Sequence, residues 1–416
     1  MLGGQTELDG VGQGPRRRVV ITGLGVVSSV GTGVSAYGDA LKRGASGISA
    51  LRGPNTQGFP FSHGGEVHDF DATRWVRRLD PDTLGRTSQF AIAAAYLAIA
   101  DADMDPESLG RLGCAVSIGT TDGESLATDL LCQAWASHGP RPLTAQAIRK
   151  VPADRLAVSV AHELDLHGDA LTIGTACAAG NYALGNAFDM IRSGEADLVL
   201  GGGAESMARK SLAGFYRLGA IAPARCQPFD VNRRGIVVGE GAAMLLLESL
   251  EGARARGARV YAEVLGYGLS CDAGHPVAPD CGSIATCMRR AHHNAGIDPA
   301  EVDYVCAHGT GTLVNDAVEA RAIREVFGEH VPPTSSLKSM LGHTMGAASA
   351  LGAVACALAI SDGFMPPTIN SEQPDPECNL DCVPNEARTA SLRVVQNNAF
   401  AFGGNNAIVV FRRATG

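Results

Sequence analysis

Two distant stretches of the chain repeat one pattern, a short apolar strand that runs into a glycine turn. Arg18-Val19-Val20-Ile21-Thr22-Gly23-Leu24-Gly25 is the first copy, and Val260-Tyr261-Ala262-Glu263-Val264-Leu265-Gly266-Tyr267-Gly268 is the second. Each is followed by helical periodicity and then by another apolar strand. In the first half the helical stretch surrounds Gln89 to Ala95, and the strand is Cys114 to Ile118. In the second half the helix runs from Ile284 to Asn294 and the strand is Tyr304-Val305-Cys306. Between them Asp298-Pro299 reads as an N-cap with proline at the first helical position. Strands alternating with helices predict an α/β fold with a mostly parallel sheet covered on both faces. The repetition predicts two halves, residues 17–260 and 261–416, and residues 1–16 read as a Gly-rich, disordered tail. The first glycine pair matches a dinucleotide site poorly. The third glycine of that fingerprint falls at Ser28, and no acid follows at the required distance.

Composition removes several function classes. Hydrophobic residues make up 45% of the 416 and charged residues 19%, enough for a large buried core. Aromatics at 5% argue against base stacking with single-stranded nucleic acid, and a net charge of −9 carries no nucleic-acid footprint. Arg16-Arg17-Arg18 and Arg77-Arg78 are local basic clusters that read as solvated surface or as contacts for an acidic partner. The 11 cysteines include no CxxC pair, and Cys378 and Cys382 have no nearby histidine. Neither a disulfide framework nor a metal site is expected. No signal-like segment opens the chain and no 18-residue apolar stretch interrupts it, so it reads as cytoplasmic, without a membrane span.

Four segments could carry chemistry. In Leu171-Thr172-Ile173-Gly174-Thr175-Ala176-Cys177-Ala178-Ala179-Gly180 an apolar strand ends at Gly174, and a helix runs from about Ala179 to Arg192 before Gly194. Cys177 therefore sits on a sharp strand-to-helix turn, with small neighbours that let a substrate reach its sulfur. The helix N-terminus favours thiolate over thiol. The plain alternative is a small buried cysteine, which is how most free cysteines behave. The second segment is Ala307-His308-Gly309-Thr310-Gly311-Thr312, at a strand end. In the third, Lys338 and His343 flank a turn ahead of an alanine-rich helix. The fourth, Asn398-Ala399-Phe400-Ala401-Phe402-Gly403-Gly404-Asn405-Asn406, is a glycine turn before a last strand, Ala407 to Phe411. A single histidine is more often structural than catalytic, but three such turns plus a cysteine elbow are hard to explain as packing.

In order and spacing these segments resemble the elongating β-ketoacyl-acyl-carrier-protein synthases of fatty-acid and type II polyketide pathways. The likeness spans roughly residues 17–413. It includes T-A-C at 175–177, P-F-D at 228–230, G-E-G-A at 239–242, H-G-T-G-T at 308–312, K-S-x-x-G-H at 338–343 and F-G-G-x-N at 402–406. The resemblance implies the thiolase fold, duplicated βα halves in a five-layer αβαβα sandwich. It implies that Cys177 carries the acyl chain as a thioester while a malonyl-carrier thioester loses carbon dioxide. His308 and His343, as neutral N–H donors, would stabilise the enolate, and the N–H groups of Cys177 and Phe402 would form the oxyanion hole. Lys338 would lie behind the histidines. Asp316 and Glu319 match a D-x-x-E, with Glu319 holding Lys338 or a buried water. Thr310 and Thr312 match contacts to a pantetheine arm, and Ile236, Phe400 and Phe402 match the substrate wall. Arg77 and Arg78 match a basic stretch that docks an acidic acyl carrier protein. The resemblance calls for no metal and no cofactor beyond the phosphopantetheine arm that enters on that carrier. Relatives pair through the strand near the nucleophile, which implies a homodimer or a heterodimer with a chain-length-factor-like paralogue.

The chain departs from the family pattern at three places. Arg233-Arg234-Gly235-Ile236 replaces R-D-G-F, Ala401 replaces the glycine before Phe402, and Val277 stands where a threonine usually follows the His275 region. These leave the catalytic set intact and point to a specialised acyl substrate. A non-catalytic chain-length-factor-like subunit is disfavoured because Cys177 and both histidines are present. An acyltransferase that forms esters or amides on the same fold stays open at this stage.

Overall fold

The computed structural model describes residues 17–53 and 56–415; the expected tail, residues 1–16, lies outside the described residues. Ten strands make up the central sheet, apart from a two-residue addition at Gly31–Thr32. Five come from the first half: β1 (Val19–Ser28), β2 (Ala115–Thr120), β3 (Ala170–Gly174), β4 (Leu198–Glu205) and β5 (Gly241–Ser249). Five come from the second: β6 (Ala262–Cys271), β7 (Tyr304–Cys306), β8 (Thr334–Ser335), β9 (Val394–Phe400) and β10 (Asn405–Arg412). The order across the sheet is β8-β7-β9-β10-β6-β1-β5-β4-β2-β3. Numbered within its own half, each set of five runs third, second, fourth, fifth, first. The directions repeat as well. β1–β5 and β5–β4 are antiparallel while β4–β2 and β2–β3 are parallel, and β6–β10, β10–β9, β9–β7 and β7–β8 follow the same scheme. Three residue pairs, Val19↔Val264 to Ile21↔Ala262, join the two sets of five, the first and second sheets, into one continuous ladder.

The sheets are thus mixed rather than mostly parallel. One cause is visible between β9 and β10, where the connection is only residues 401–404; so short a link can join only antiparallel neighbours. Helices α1 (Arg86–Asp101) and α3 (Arg155–Leu164) cover the outer face of the first sheet. α5 (Cys281–Ala295) and α6 (Leu313–Phe327) cover that of the second. α4 (Ala179–Ser193) and α7 (Ala348–Asp362) pack between the sheets, which completes the five αβαβα layers. α2 (Ser125–His138) stands apart, with only Ser125 buried. The run Met345–Asp362, at mean hydropathy 1.5, is long and apolar enough to cross a membrane, contrary to the expectation from sequence. It is 83% buried between the sheets, and that position accounts for its hydrophobicity.

The repeated glycine pairs are not turns. Gly23 and Gly25 lie inside β1, and Gly266 and Gly268 lie inside β6. They are small because a helix crosses directly over them. A Cβ at Gly25 would lie 1.8 Å from the Ala94 carbonyl oxygen of α1, and one at Gly268 would lie 2.4 Å from the Cys287 carbonyl oxygen of α5. The repeat therefore marks two equivalent strand–helix contacts. Gly25→Ala is expected to lower stability by at least about 1–3 kcal/mol, because the obstruction is backbone and cannot rotate away. Denaturant unfolding would show it as a lower midpoint at unchanged slope.

Candidate active site

β3 delivers the chain to a 3₁₀ turn, Ala176–Ala178, from which α4 starts. Ala176 has φ 49°, in the left-handed region that alanine rarely enters, and this makes the turn sharp. Gly119 in β2 admits the start of α4, since a Cβ there would lie 2.1 Å from the Ala179 carbonyl carbon. α4 ends at Gly194, whose φ of 84° caps it as expected. The second half builds the same device. Met345, also at φ 49°, opens the 3₁₀ turn Met345–Ala347, and α7 runs from it to a left-handed cap at Gly363.

Cys177, Ile236, His308, Thr310, His343 and Phe400 form the buried floor of a cavity of about 290 Å³. Its rim carries Phe402, Arg234, His275 and Leu313. The rings of His308 and His343 lie 5.5 Å apart, nearly perpendicular, and Phe400 stands 5.7 Å from His308. Lys338, and after it the backbone N–H groups of Cys177 and Phe402 beside the sulfur, pull the Cys177 pKa down. Burial outweighs them and pushes the thiol up to about 12, with Glu205 adding to the rise. The expectation of a resting thiolate is therefore corrected: the helix N-terminus does not overcome the desolvation of a sulfur only 5% exposed.

Both imidazoles are held well below their usual pKa by burial first and by Lys338 second, so both are neutral. For His343 the tautomer follows from geometry. The Met345 N–H donates to its Nδ1 at 3.1 Å, which leaves the proton on Nε2. The His343 backbone is fixed in turn, donating to the Val237 carbonyl at 2.6 Å.

His308 is set from below by Glu319, whose carboxylate accepts from the N–H groups of His308 (2.8 Å) and Gly309 (2.7 Å) and from Asn398 (3.1 Å). Glu319 does not pair with Lys338 as expected. Lys338 Nζ donates instead to the His308 carbonyl oxygen at 2.5 Å. Two backbone N–H groups and the Asn398 amide already satisfy Glu319, while the lysine reaches a carbonyl that needs a partner. Asp316 holds the same loop, accepting from the N–H groups of Thr310 (3.0 Å), Gly311 and Phe229 (2.9 Å). The Thr310 and Thr312 hydroxyls lie 2.9 Å apart on the cavity wall, and Thr312 also caps α6.

Phe402 is 37% exposed and packs at a tilt against Phe215, ring centroids 5.7 Å apart. It precedes Gly403 and Gly404, both at φ 86°, a conformation that requires glycine. Arg77 and Arg78 do not line the cavity. Their N–H groups bind Glu163 of α3, Arg77 lies over the Tyr96 ring, and Arg78 pairs with Asp165 at 2.6 Å. Two features escaped the sequence reading. Phe61, Met207, Leu212 and Met345 surround Cys177 and Ile236 as one apolar cluster, and nothing local marks them. Glu205, its pKa pushed up to about 8 by burial, sits beneath the nucleophile turn. Its signal was a lone acid ending the glycine-rich apolar strand Leu198–Glu205.

A nucleophilic sulfur with two backbone donors, facing two neutral imidazoles, is an acyl-transfer site. Comparisons with known proteins agree with the geometry. The family described as Beta-ketoacyl synthase, N-terminal domain, matches residues 16–253, and its C-terminal domain counterpart matches residues 261–372. The chain belongs to the beta-ketoacyl synthase family. It is a ketosynthase, an acyltransferase-class enzyme of the thiolase fold. It is 39% identical to 3-oxoacyl-[acyl-carrier-protein] synthase 2 of Coxiella burnetii over 96% of this chain and 99% of that protein. It is 38% identical to Nodulation protein E of a Rhizobium species (strain N33), over 95% and 99%. Among solved structures, the ishigamide ketosynthase/chain length factor is 49% identical with a TM-score of 0.94, over 96% of this ketosynthase and all of that chain. A type II polyketide ketosynthase in complex with its acyl-carrier protein, bound to the hexaketide, is 33% identical with a TM-score of 0.88, over the same shares.

The buried thiol makes a direct prediction. Alkylation of Cys177 should be slow at neutral pH and should still be climbing at pH 10, well beyond the ~8.5 of an ordinary cysteine. Lys338→Met, which removes the cation that lowers this pKa, should slow it further at fixed pH. A plateau near pH 7 would mean that the helix terminus governs the sulfur after all.

Proposed function

We propose that this ketosynthase catalyses decarboxylative Claisen condensation of a Cys177-bound acyl chain with a malonyl-carrier thioester, in type II polyketide or specialised fatty-acid synthesis. The observation that carries the reading is the convergence on one cavity of the Cys177 sulfur, its two backbone donors and two neutral imidazoles. In the loading step the thiol proton passes to the departing pantetheine sulfur as the acyl carbon bonds to Cys177. The tetrahedral oxygen is held by the N–H groups of Cys177 and Phe402. In the second step carbon dioxide leaves the malonyl group, and its enolate oxygen receives N–H hydrogen bonds from His343 Nε2 and from His308. The enolate carbon then attacks the thioester, and Cys177 departs as a thiolate that takes up a proton from water to restore the thiol. Burial, reinforced by the Lys338 charge, keeps both imidazoles neutral, and Lys338 also holds the His308 backbone; Asp316 and Glu319 brace the loop beneath.

The pantetheine arm enters on an acidic carrier protein, past Thr310 and Thr312, with Phe402 as the gate on its Gly403-Gly404 hinge. Arg77 and Arg78 offer that carrier an exposed basic contact away from the cavity. A second ketosynthase-fold chain, identical or a chain-length-factor-like paralogue, covers the open edge at β3. Leu171 there is 47% exposed, and Leu130 and Trp135 of α2 are 57% and 55% exposed. The described cysteines are all free, in keeping with a reducing cytoplasmic setting.

Separating the two half-reactions tests the assignment. Cys177→Ala should abolish acyl loading and condensation in an intact fold, read by intact-protein mass. His308→Ala and His343→Ala should impair carbon dioxide release from malonyl carrier by ~3–4 kcal/mol per donor and spare loading. Equal losses in both steps would reduce the histidines to scaffolding.

Ile236 closes the apolar cluster against Cys177 where relatives keep an aromatic ring. The reshaped wall favours an unsaturated or branched chain over a plain saturated one, by a graded ~1–3 kcal/mol. Competing acyl carriers of equal length would measure this. A saturated preference that Ile236→Phe leaves unchanged would rule it out.

A further inference from the structure

Glu205 ends β4 with its carboxylate buried. Its Oε2 accepts from two backbone N–H groups that belong to different halves of the chain. Thr121, in the loop after β2, donates at 2.6 Å, and Gly346 donates at 3.1 Å. Oε1 accepts from the Asp122 N–H at 3.2 Å, and the Thr120 hydroxyl stands 3.3 Å from both oxygens. Gly346 follows Met345, the residue whose N–H binds His343 Nδ1. Met345 is not a glycine, yet it is held at φ 49°. Such a conformation persists only where its surroundings over-determine it. The surroundings here are Glu205 and close packing, since a Cβ on Gly346 would lie 2.4 Å from the Thr120 Cα.

We propose that Glu205 is a positioning residue for condensation. By holding the Gly346 N–H it keeps the adjacent Met345 N–H aimed at His343 Nδ1, and so keeps the His343 proton on Nε2. Released from that clamp, the imidazole can carry its proton on Nδ1 and turn a lone pair toward the enolate oxygen, which repels it. Glu205 touches no substrate; it acts through one peptide unit on one tautomer. The kinetic consequence rests on the donor role proposed above for His343, whereas the tautomer itself does not.

The test compares Glu205→Leu, which has no acceptor, with Glu205→Gln, which keeps an oxygen for Gly346. Neither variant can ionise at this position, so any effect of the acid's charge on the thiol is common to the two. In the full-length enzyme, Glu205→Leu should lose about a hundredfold in malonyl-carrier decarboxylation, with acyl loading changed little. Glu205→Gln should stay near wild type in both steps. Nitrogen-15 spectra of histidine-labelled protein should show His343 protonated on Nε2 in wild type and Glu205→Gln, and partly on Nδ1 in Glu205→Leu. If Glu205→Leu does not fold, Glu205→Asp carries the same test, because it keeps a carboxyl group but withdraws it from Gly346. An unchanged His343 tautomer in the acceptor-withdrawn variant, or equal losses in loading and decarboxylation, overturns the proposal. Normal decarboxylation in His343→Ala would instead overturn the donor role and leave the tautomer result standing.

Discussion

The contact on which the active site depends is the junction of the two central helices at their N-terminal ends. Gly180 of α4 lies so close to α7 that a Cβ would stand 2.7 Å from the Ala350 nitrogen. Asn181 and Asn397 lock the junction. The Asn181 amide donates to the carbonyls of Asn397 and Ala407, Asn397 donates back to Asn181 Oδ1 at 2.8 Å, and the Asn181 N–H binds the Ser349 hydroxyl. All four residues but Ala407 are polar and all are buried. A buried amide network of this kind is favourable only when every member is satisfied, so it specifies one docking geometry and penalises near misses. That geometry brings the Ala176–Ala178 turn against the Met345–Ala347 turn.

Much of this was legible in the chain itself, but unevenly. The strand Tyr304–Cys306, the helix stop at Gly194 and the N-cap at Asp298 were readable because local chemistry decides them. The candidate catalytic set was readable as a group because Cys177, His308, Lys338 and His343 occur in motifs whose order and spacing resemble one family. The glycine pairs of β1 and β6 were visible as a repeat but misread as turns, since only the crossing helices reveal why a side chain is forbidden there. The parallel character of the sheet was overestimated for a similar reason: strand direction is set by connections, which periodicity does not report.

What could not be read were properties created by burial. The resting state of Cys177 depends on how much water the surrounding cluster removes, and its contributors lie at residues 61, 207, 212 and 345. The partner of Lys338 is a main-chain carbonyl, and main-chain atoms leave no signature in a motif. The clamp on Gly346 comes from an acid more than a hundred residues earlier in the chain.

The two turns at that junction have nearly the same backbone, yet their contents are complementary. One carries the sulfur; the other follows the imidazole and governs its proton. Neither half alone owns a working reaction centre. A ribosome therefore releases the thiol-bearing half before either histidine has been made, and a chain cut between the halves retains a cysteine with nothing to generate the carbon nucleophile. Reactivity arrives only with the last sheet in place, which makes completion of folding the event that arms the enzyme.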